Sequence, residues 1–270
     1  MSAPLQNGFR SRHVSRVVPE QMTPDVPHVD DVGENLQRVR AAIASATIKS
    51  RRRPDEVELI AVSKTHDAER VRQAFDADQR LFGESKVQEA RAKIPLLPSA
   101  ARWHFIGHLQ KNKLRHALPL FELFDSVDSL DLATAINRIA DEDGLRPRVL
   151  LEVNVSGEGS KFGFDPEKVR REFEALLALD RLTVEGLMTI PPFNVEAEAS
   201  RRFFVALRDL RDELETAAGA KLPQLSMGMS DDYVVAIEEG ATLVRVGTAI
   251  FGKRSYSKLK APAEFSDDSA

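Results

Sequence analysis

A chain of 270 residues with 42% hydrophobic and 30% charged residues has the make-up of a globular protein able to bury a sizeable core. Its formal net charge of −4 argues against nucleic acid as the main partner, and no apolar stretch approaches the roughly 20 residues of a membrane span. The absence of cysteine excludes disulfides, thiolate catalysis and cysteine-ligated metals, and fits a reducing, cytoplasmic setting.

In chain order, residues 1–28 carry Arg10, Arg12, His13 and Arg16, no acid before Glu20, and prolines at 4, 19, 24 and 27. That composition predicts a disordered extension, with an organelle transit peptide of weak apolar face as the alternative, and it lacks the apolar core of a secretory signal. A helix is expected over 31–49, where Val32, Leu36, Val39 and Ile43 share one face. The cluster Arg51-Arg52-Arg53-Pro54 ends it and reads as a solvated turn. Eight short apolar or β-rich runs follow, near 57–63, 80–83, 103–107, 123–127, 148–155, 182–188, 224–227 and 243–247.

Helical patterns fill most of the intervals. Leu132, Ile136 and Ile139 repeat at helical spacing before Gly144, and Asp165-Pro166 reads as the N-cap and first residue of a helix carrying Val169, Phe173, Leu176 and Leu177. Phe203, Phe204, Leu207, Leu210 and Leu214 form another buried face. Residues 257–270 look like a second tail. Strands alternating with helices over 29–256, undivided by any linker or repeat, predict one α/β domain: a (β/α)₈ TIM barrel with an extra N-terminal helix. A doubly wound open sheet is the alternative.

In such a barrel the chemistry gathers at the C-terminal ends of the strands. Strand 1 ends at Lys64, directly after Leu59-Ile60-Ala61-Val62-Ser63. A lysine there is either solvated or held in a drier pocket, where its neutral amine becomes able to attack a carbonyl and form a Schiff base. Strand 2 ends in Gly83-Glu84-Ser85, strand 3 in His104 to His108, strand 4 in Ser126-Val127-Asp128, strand 5 in Asn154 ahead of Lys161, and strand 6 in Met188-Thr189. The last two ends, Ser226-Met227-Gly228-Met229-Ser230 and Gly247-Thr248-Ala249, place small residues at strand-to-helix turns whose backbone N–H groups suit a phosphate. N-capping by Ser230 and Thr248 is the plainer reading of the same residues. Arg245 shares the inward face of its strand with Gly247. His104 and His108 straddle a strand end, which is not a zinc-binding helix spacing, and Glu84 and Asp128 are candidate acids or helix caps.

The segments Ala61-Val62-Ser63-Lys64-Thr65, Phe82 to Ser85 with Val87-Gln88-Glu89, Trp103 to Gln110 with Asn112-Lys113, Gly186-Leu187-Met188, Leu225 to Asp232 and Val244 to Gly252 together resemble the pyridoxal phosphate homeostasis proteins (the YggS/PROSC type). They occur in the right order and span about 57 to 256. The resemblance implies a fold-type III barrel binding pyridoxal 5′-phosphate (PLP), with the cofactor aldehyde held on Lys64 as an internal aldimine. It further implies that Ser226, Gly228, Ser230, Gly247 and Thr248 surround the phosphate and that Arg245 faces the pyridine nitrogen. His104, Asn154 and Met188 would line the pocket, and Lys161 matches a second lysine able to receive PLP. Ser85 stands where the family commonly has asparagine.

Two functions of different kind follow from that likeness. One is a carrier that stores, buffers or delivers PLP without turnover of its own, as a monomer whose partners are PLP and apo PLP-dependent enzymes. The other is an amino-acid racemase or decarboxylase on the same barrel. Related alanine racemases place a catalytic tyrosine on a separate C-terminal domain, whereas about 18 residues follow Gly252 here and the only tyrosines are Tyr233 and Tyr256. The carrier is therefore the expectation, and a PLP-free interaction module is the third reading.

Overall fold

Eight parallel strands close into a barrel in sequence order, β1 pairing with both β2 and β8. The computed structural model describes residues 31–159, 161–193 and 195–252, together with Met1. The strands are β1 Glu58–Val62, β2 Leu81–Glu84, β3 Arg102–Phe105, β4 Leu123–Val127, β5 Arg148–Glu152, β6 Thr183–Met188, β7 Gln224–Ser226 and β8 Leu243–Val246. The closed topology rules out the open-sheet alternative. Apart from Met1, the segments 1–28 and 257–270 lie outside the described residues, as does Tyr256.

Around the barrel run α1 Val32–Lys49, α2 Ala68–Asp76, α3 Val87–Lys93, α4 Leu114–Ala117, α5 Leu130–Glu142, α6 Pro166–Leu177, α7 Ala197–Ala218, α8 Tyr233–Glu238 and α9 Thr248–Phe251. Local chemistry fixes their ends. Asp31, Asp67, Ser129 and Asp165 each accept first-turn backbone N–H groups that no helical carbonyl can reach. Gly144 ends the α5 region at φ +67°.

Period-2 alternation divides the apolar side chains into two cores. The larger lies between strands and helices and takes outward residues such as Leu59, Ala61, Phe82, Phe105, Phe124 and Leu151. The smaller fills the barrel itself with Ile60, Val62, Leu81, Leu123, Leu150, Met188 and Leu243. At the N-terminal mouth a chain of ion pairs runs from Glu58 to Arg102 (2.6 Å), Arg102 to Glu122 (2.5 Å) and Arg148 to Glu185 (2.6 Å). These groups are partly exposed and screened by solvent, so each pair adds little stability.

The N-terminal helix packs over the seam between β8 and β1. Asn35 Nδ2 donates to the Ile250 carbonyl at 3.0 Å, and Lys49 pairs with Glu238 at 2.6 Å. Arg52 is not the solvated residue expected from its basic cluster. Its guanidinium donates to the carbonyls of Ile237 and Ala241 at 3.2 and 2.9 Å, satisfying the C-terminal end of α8. β5 also stops earlier than the run to 155 suggests: beyond Glu152, Val153 forms an isolated bridge with Phe164, and the loop folds back on itself.

Candidate functional site

The register decides which residues reach the C-terminal mouth. Val62, Gly83, His104 and Leu123 lie in one row across β1 to β4. Lys64, Ser85 and Ile106 are each two residues further along, in phase with that inward row and one layer nearer the rim. Lys64 and Ser85 are both partly exposed there. Gly107 allows the strand ends to close up, because a Cβ on it would lie 2.3 Å from the Ser85 carbonyl oxygen.

The β7 and β8 turns complete that rim. Gly228 adopts φ +93°, and a Cβ on it would strike Ala236 at 2.6 Å, so this turn tolerates little but glycine. Ser230 caps neither of its neighbours in sequence. Its hydroxyl instead accepts the N–H groups of Gly247 and Ala249 in the other turn, each at 3.3 Å. Thr248 is exposed as the first residue of α9, and Asp232 takes the Met229 N–H at 2.7 Å. A Cβ on Gly247 would lie 3.3 Å from the Val62 carbonyl oxygen, so this turn abuts the strand that delivers Lys64.

Ser226, His104, Met188 and Arg245 lie deeper. Arg245 is 4% exposed; it donates to Ser226 Oγ at 2.7 Å and to the Thr189 carbonyl at 2.8 Å. Ser226 in turn donates to Asp125 Oδ2 at 2.6 Å, so its hydroxyl is engaged inside the barrel and not at the turn. His104 is not brought to the rim. Its Nδ1 lies 3.1 Å from Asp125 Oδ1, near enough to interact as charges though not aligned as a hydrogen bond, and its Nε2 is 3.4 Å from Glu122. Burial opposes protonation of this ring, but the charges of Asp125 and Glu122 outweigh it and raise the pKa to about 9.

On the other side of the mouth, Asn154 organises its own loop. It donates from Nδ2 to the Glu158 carbonyl, while Oδ1 accepts from Ser156 Oγ at 2.8 Å and Gly157 N–H at 3.1 Å. Lys161 pairs with Glu158 at 3.2 Å and contacts the Ile190 carbonyl at 3.5 Å. His108, paired with Asp128 at 3.1 Å, stacks on exposed Phe162.

Sequence reasoning gave no role to Asp125, Glu152, Lys93 or Glu89, the last named only within a resembling segment. Asp125 and Glu152 interrupt apolar strands at inward phase, a signal readable from alternation alone. Glu152 is buried, and burial followed by the nearby charge of Asp128 pushes its carboxyl up to about 7, against the pull of Arg245. A raised carboxyl pKa means that the folded state binds the proton more tightly than the unfolded one. Its stabilisation is therefore complete below pH 4.5 and fades as pH rises through about 7. The rise corresponds to about 3 kcal/mol at most. In Glu152→Gln, urea unfolding between pH 5 and 8 should show a flatter stability profile, with the variant gaining on the wild type toward pH 8.

A lysine at the rim beside two anion-suited turns has the chemistry to take a phosphate-bearing carbonyl compound, and the residues fit PLP. The Ser230 hydroxyl and the Gly247 and Ala249 amides are joined only by long bonds, so an anion can engage them through shorter, charge-assisted ones. α9 spans four residues, so these individual donors matter more than its dipole.

Comparison with known proteins defines the class first: residues 34–255 match the family model described as alanine racemase, N-terminal domain. The alanine racemase of Clostridium difficile shares the fold at a TM-score of 0.65 and 18% identity, with 85% of this chain covering 58% of that one. Closer likeness lies with smaller relatives. The chain is 42% identical over 224 residues to the pyridoxal phosphate homeostasis protein of Aquifex aeolicus, covering 83% of this chain and 98% of the relative. It is 41% identical over 239 residues to that of Escherichia coli, covering 85% and 100%. PipY of Synechococcus elongatus, solved with PLP bound, superposes at a TM-score of 0.73 with 40% identity, covering 82% of this chain and all of that one. The chain belongs to the pyridoxal phosphate homeostasis protein family.

Proposed function

We propose that this chain binds PLP at the C-terminal mouth of its barrel and stores, buffers or delivers it in the cytoplasm, as a monomer and without turnover of its own. One observation carries the reading: the turn holding the Gly247 and Ala249 amides packs against the end of β1 that delivers Lys64. The names of the relatives and the PLP-bound PipY structure support it. PLP supplies an aldehyde that condenses reversibly with a primary amine and releases water.

The chain's own groups do the rest. Lys64 offers the amine; Ser230, Gly247, Thr248 and the open backbone at Gly228 receive the phosphate. Ser85 and Asn154 wall the mouth, and Met188 packs beneath it. Arg245 keeps its charge throughout the physiological range, so a ring nitrogen brought beside it resists protonation and the ring withdraws electrons weakly. His104 and Ser226 act through Asp125 and Arg245 beneath the site. Lys161, held by Glu158, offers a second amine near the exit, and apo PLP-dependent enzymes are the recipients. Tyr233 supports the carrier reading, because it lies half-buried in α8 packed on Gly228.

Purified protein incubated with PLP should show a visible absorbance band that Lys64→Ala lacks entirely. A wild-type protein without that band refutes the cofactor reading. Turnover of L- or D-amino acids by the PLP-loaded protein would overturn the carrier part alone.

A further inference from the structure

Lys64 lies between two residues whose backbones are each tied to α3. Lys93 Nζ donates to the Ser63 carbonyl at 2.9 Å, and Glu89 Oε1 accepts the Thr65 N–H at 2.6 Å. These anchors are themselves joined, because Lys93 Nζ also donates to Glu89 Oε1 at 2.8 Å, one helical turn away. From below, Glu84 Oε1 takes Lys93 Nζ and the Ser63 hydroxyl, each at 2.6 Å.

Thr65 is held at φ +71°, a conformation that β-branched residues resist. Such strain persists only where the surroundings over-determine it. Here the Glu89 bond is the restraint. The Glu89–Thr65 bond lies beyond the barrel strand, since β1 ends at Val62. Two carboxylates, a buried ammonium and a strained peptide are concentrated on the three residues centred on Lys64.

We propose that Lys93 and Glu89 are positioning residues for Lys64: they clamp the backbone on both sides of it, so that its amine is presented to the mouth in one orientation. The inference rests on the cofactor reading above. An amine on a long, flexible stem gains most from a fixed starting vector, and misplacement by about 1 Å can slow a reaction up to about 100-fold.

The test mixes full-length protein with PLP and follows growth of the visible band by stopped flow. Borohydride reduction and peptide mass mapping then locate the reacting lysine. Glu89→Ala should capture PLP about 10-fold more slowly, still at Lys64. Glu89→Gln, whose amide oxygen still accepts from Thr65, should recover most of the rate. Thr65→Gly keeps the N–H that Glu89 accepts, so capture should stay near the wild-type rate while Tm holds or rises, because glycine relieves the strained φ. A purely structural role would move rate and Tm together. A wild-type rate in Glu89→Ala overturns the clamp, and if that variant does not fold, Glu89→Leu, which keeps the bulk but offers no acceptor, decides in the same way. A wild type that shows no band fails the cofactor reading instead, an outcome separate from the other two.

Discussion

Arg245→Met is expected to lower the free energy of unfolding by about 3–5 kcal/mol at pH 7. The guanidinium interacts electrostatically with Asp125, Glu152 and Asp232, and shares Asp125 with His104. Burial pulls its pKa down, the three carboxylates pull it back up, and an arginine stays charged under either influence. Methionine fills similar space but leaves Glu152 without its counter-charge, Asp125 with protonated His104 alone, and the Thr189 carbonyl without its donor. Glu152, freed from the guanidinium's pull, favours its protonated form more strongly, so the loss should be smaller at pH 5 than at pH 8. For a domain of this size the change corresponds to a fall in Tm of roughly 10 °C. Arg245→Lys should fall between the two, because an ammonium keeps the charge but cannot span Ser226 and Thr189 as the planar fork does. Urea titrations at the two pH values check the sign as well as the size.

Lys93→Met is expected to destabilise by a similar amount, about 3–5 kcal/mol, for a different reason. Lys93 is 6% exposed and Glu84 fully buried, and their 2.6 Å contact is the main compensation for a carboxylate held out of water. Burial already pushes the Glu84 pKa up, against the pull of Lys93 and Ser63. Without the ammonium it must rise further, so the variant should be most stable in acid and weaken as pH increases from 4.5. The double variant Glu84→Gln/Lys93→Met should recover most of the loss, because a neutral amide can still accept the Ser63 hydroxyl. A double variant no more stable than Lys93→Met in equilibrium urea unfolding would show that packing, and not the stranded charge, dominates.

The barrel was legible because its signals are local. Alternating apolar runs, caps such as Asp165-Pro166 and stops such as Gly144 each report on a few neighbouring residues, and all agree. Lys64, Ser85 and the Ser230 and Gly247 turns were also accessible, because strand phase carries a residue to the rim. What escaped was the partner of each polar side chain. Ser226 and Ser230 are four residues apart in one turn, yet one faces Asp125 and the other staples the β8 turn. His104 sits at the correct strand but turns toward Glu122 and Asp125, and Arg52 hides in a cluster that looks solvated. Such assignments depend on distances between segments about 20 to 190 residues apart, which no local pattern encodes.

The helix over the β8–β1 seam has a consequence for how the molecule comes into being. Asn35 is bonded to a carbonyl 215 residues away, and Lys49 and Arg52 hold α8. During vectorial synthesis this helix, the first among the described residues, leaves the ribosome long before α8 and α9, which cover much of its apolar face. Closure of the circle and docking of that helix are one late event, dominated by contacts of great sequence separation. Until then Leu36, Val39 and Ile43 present an uncovered stripe, and a nascent chain stalled before α8 is a natural client for a chaperone.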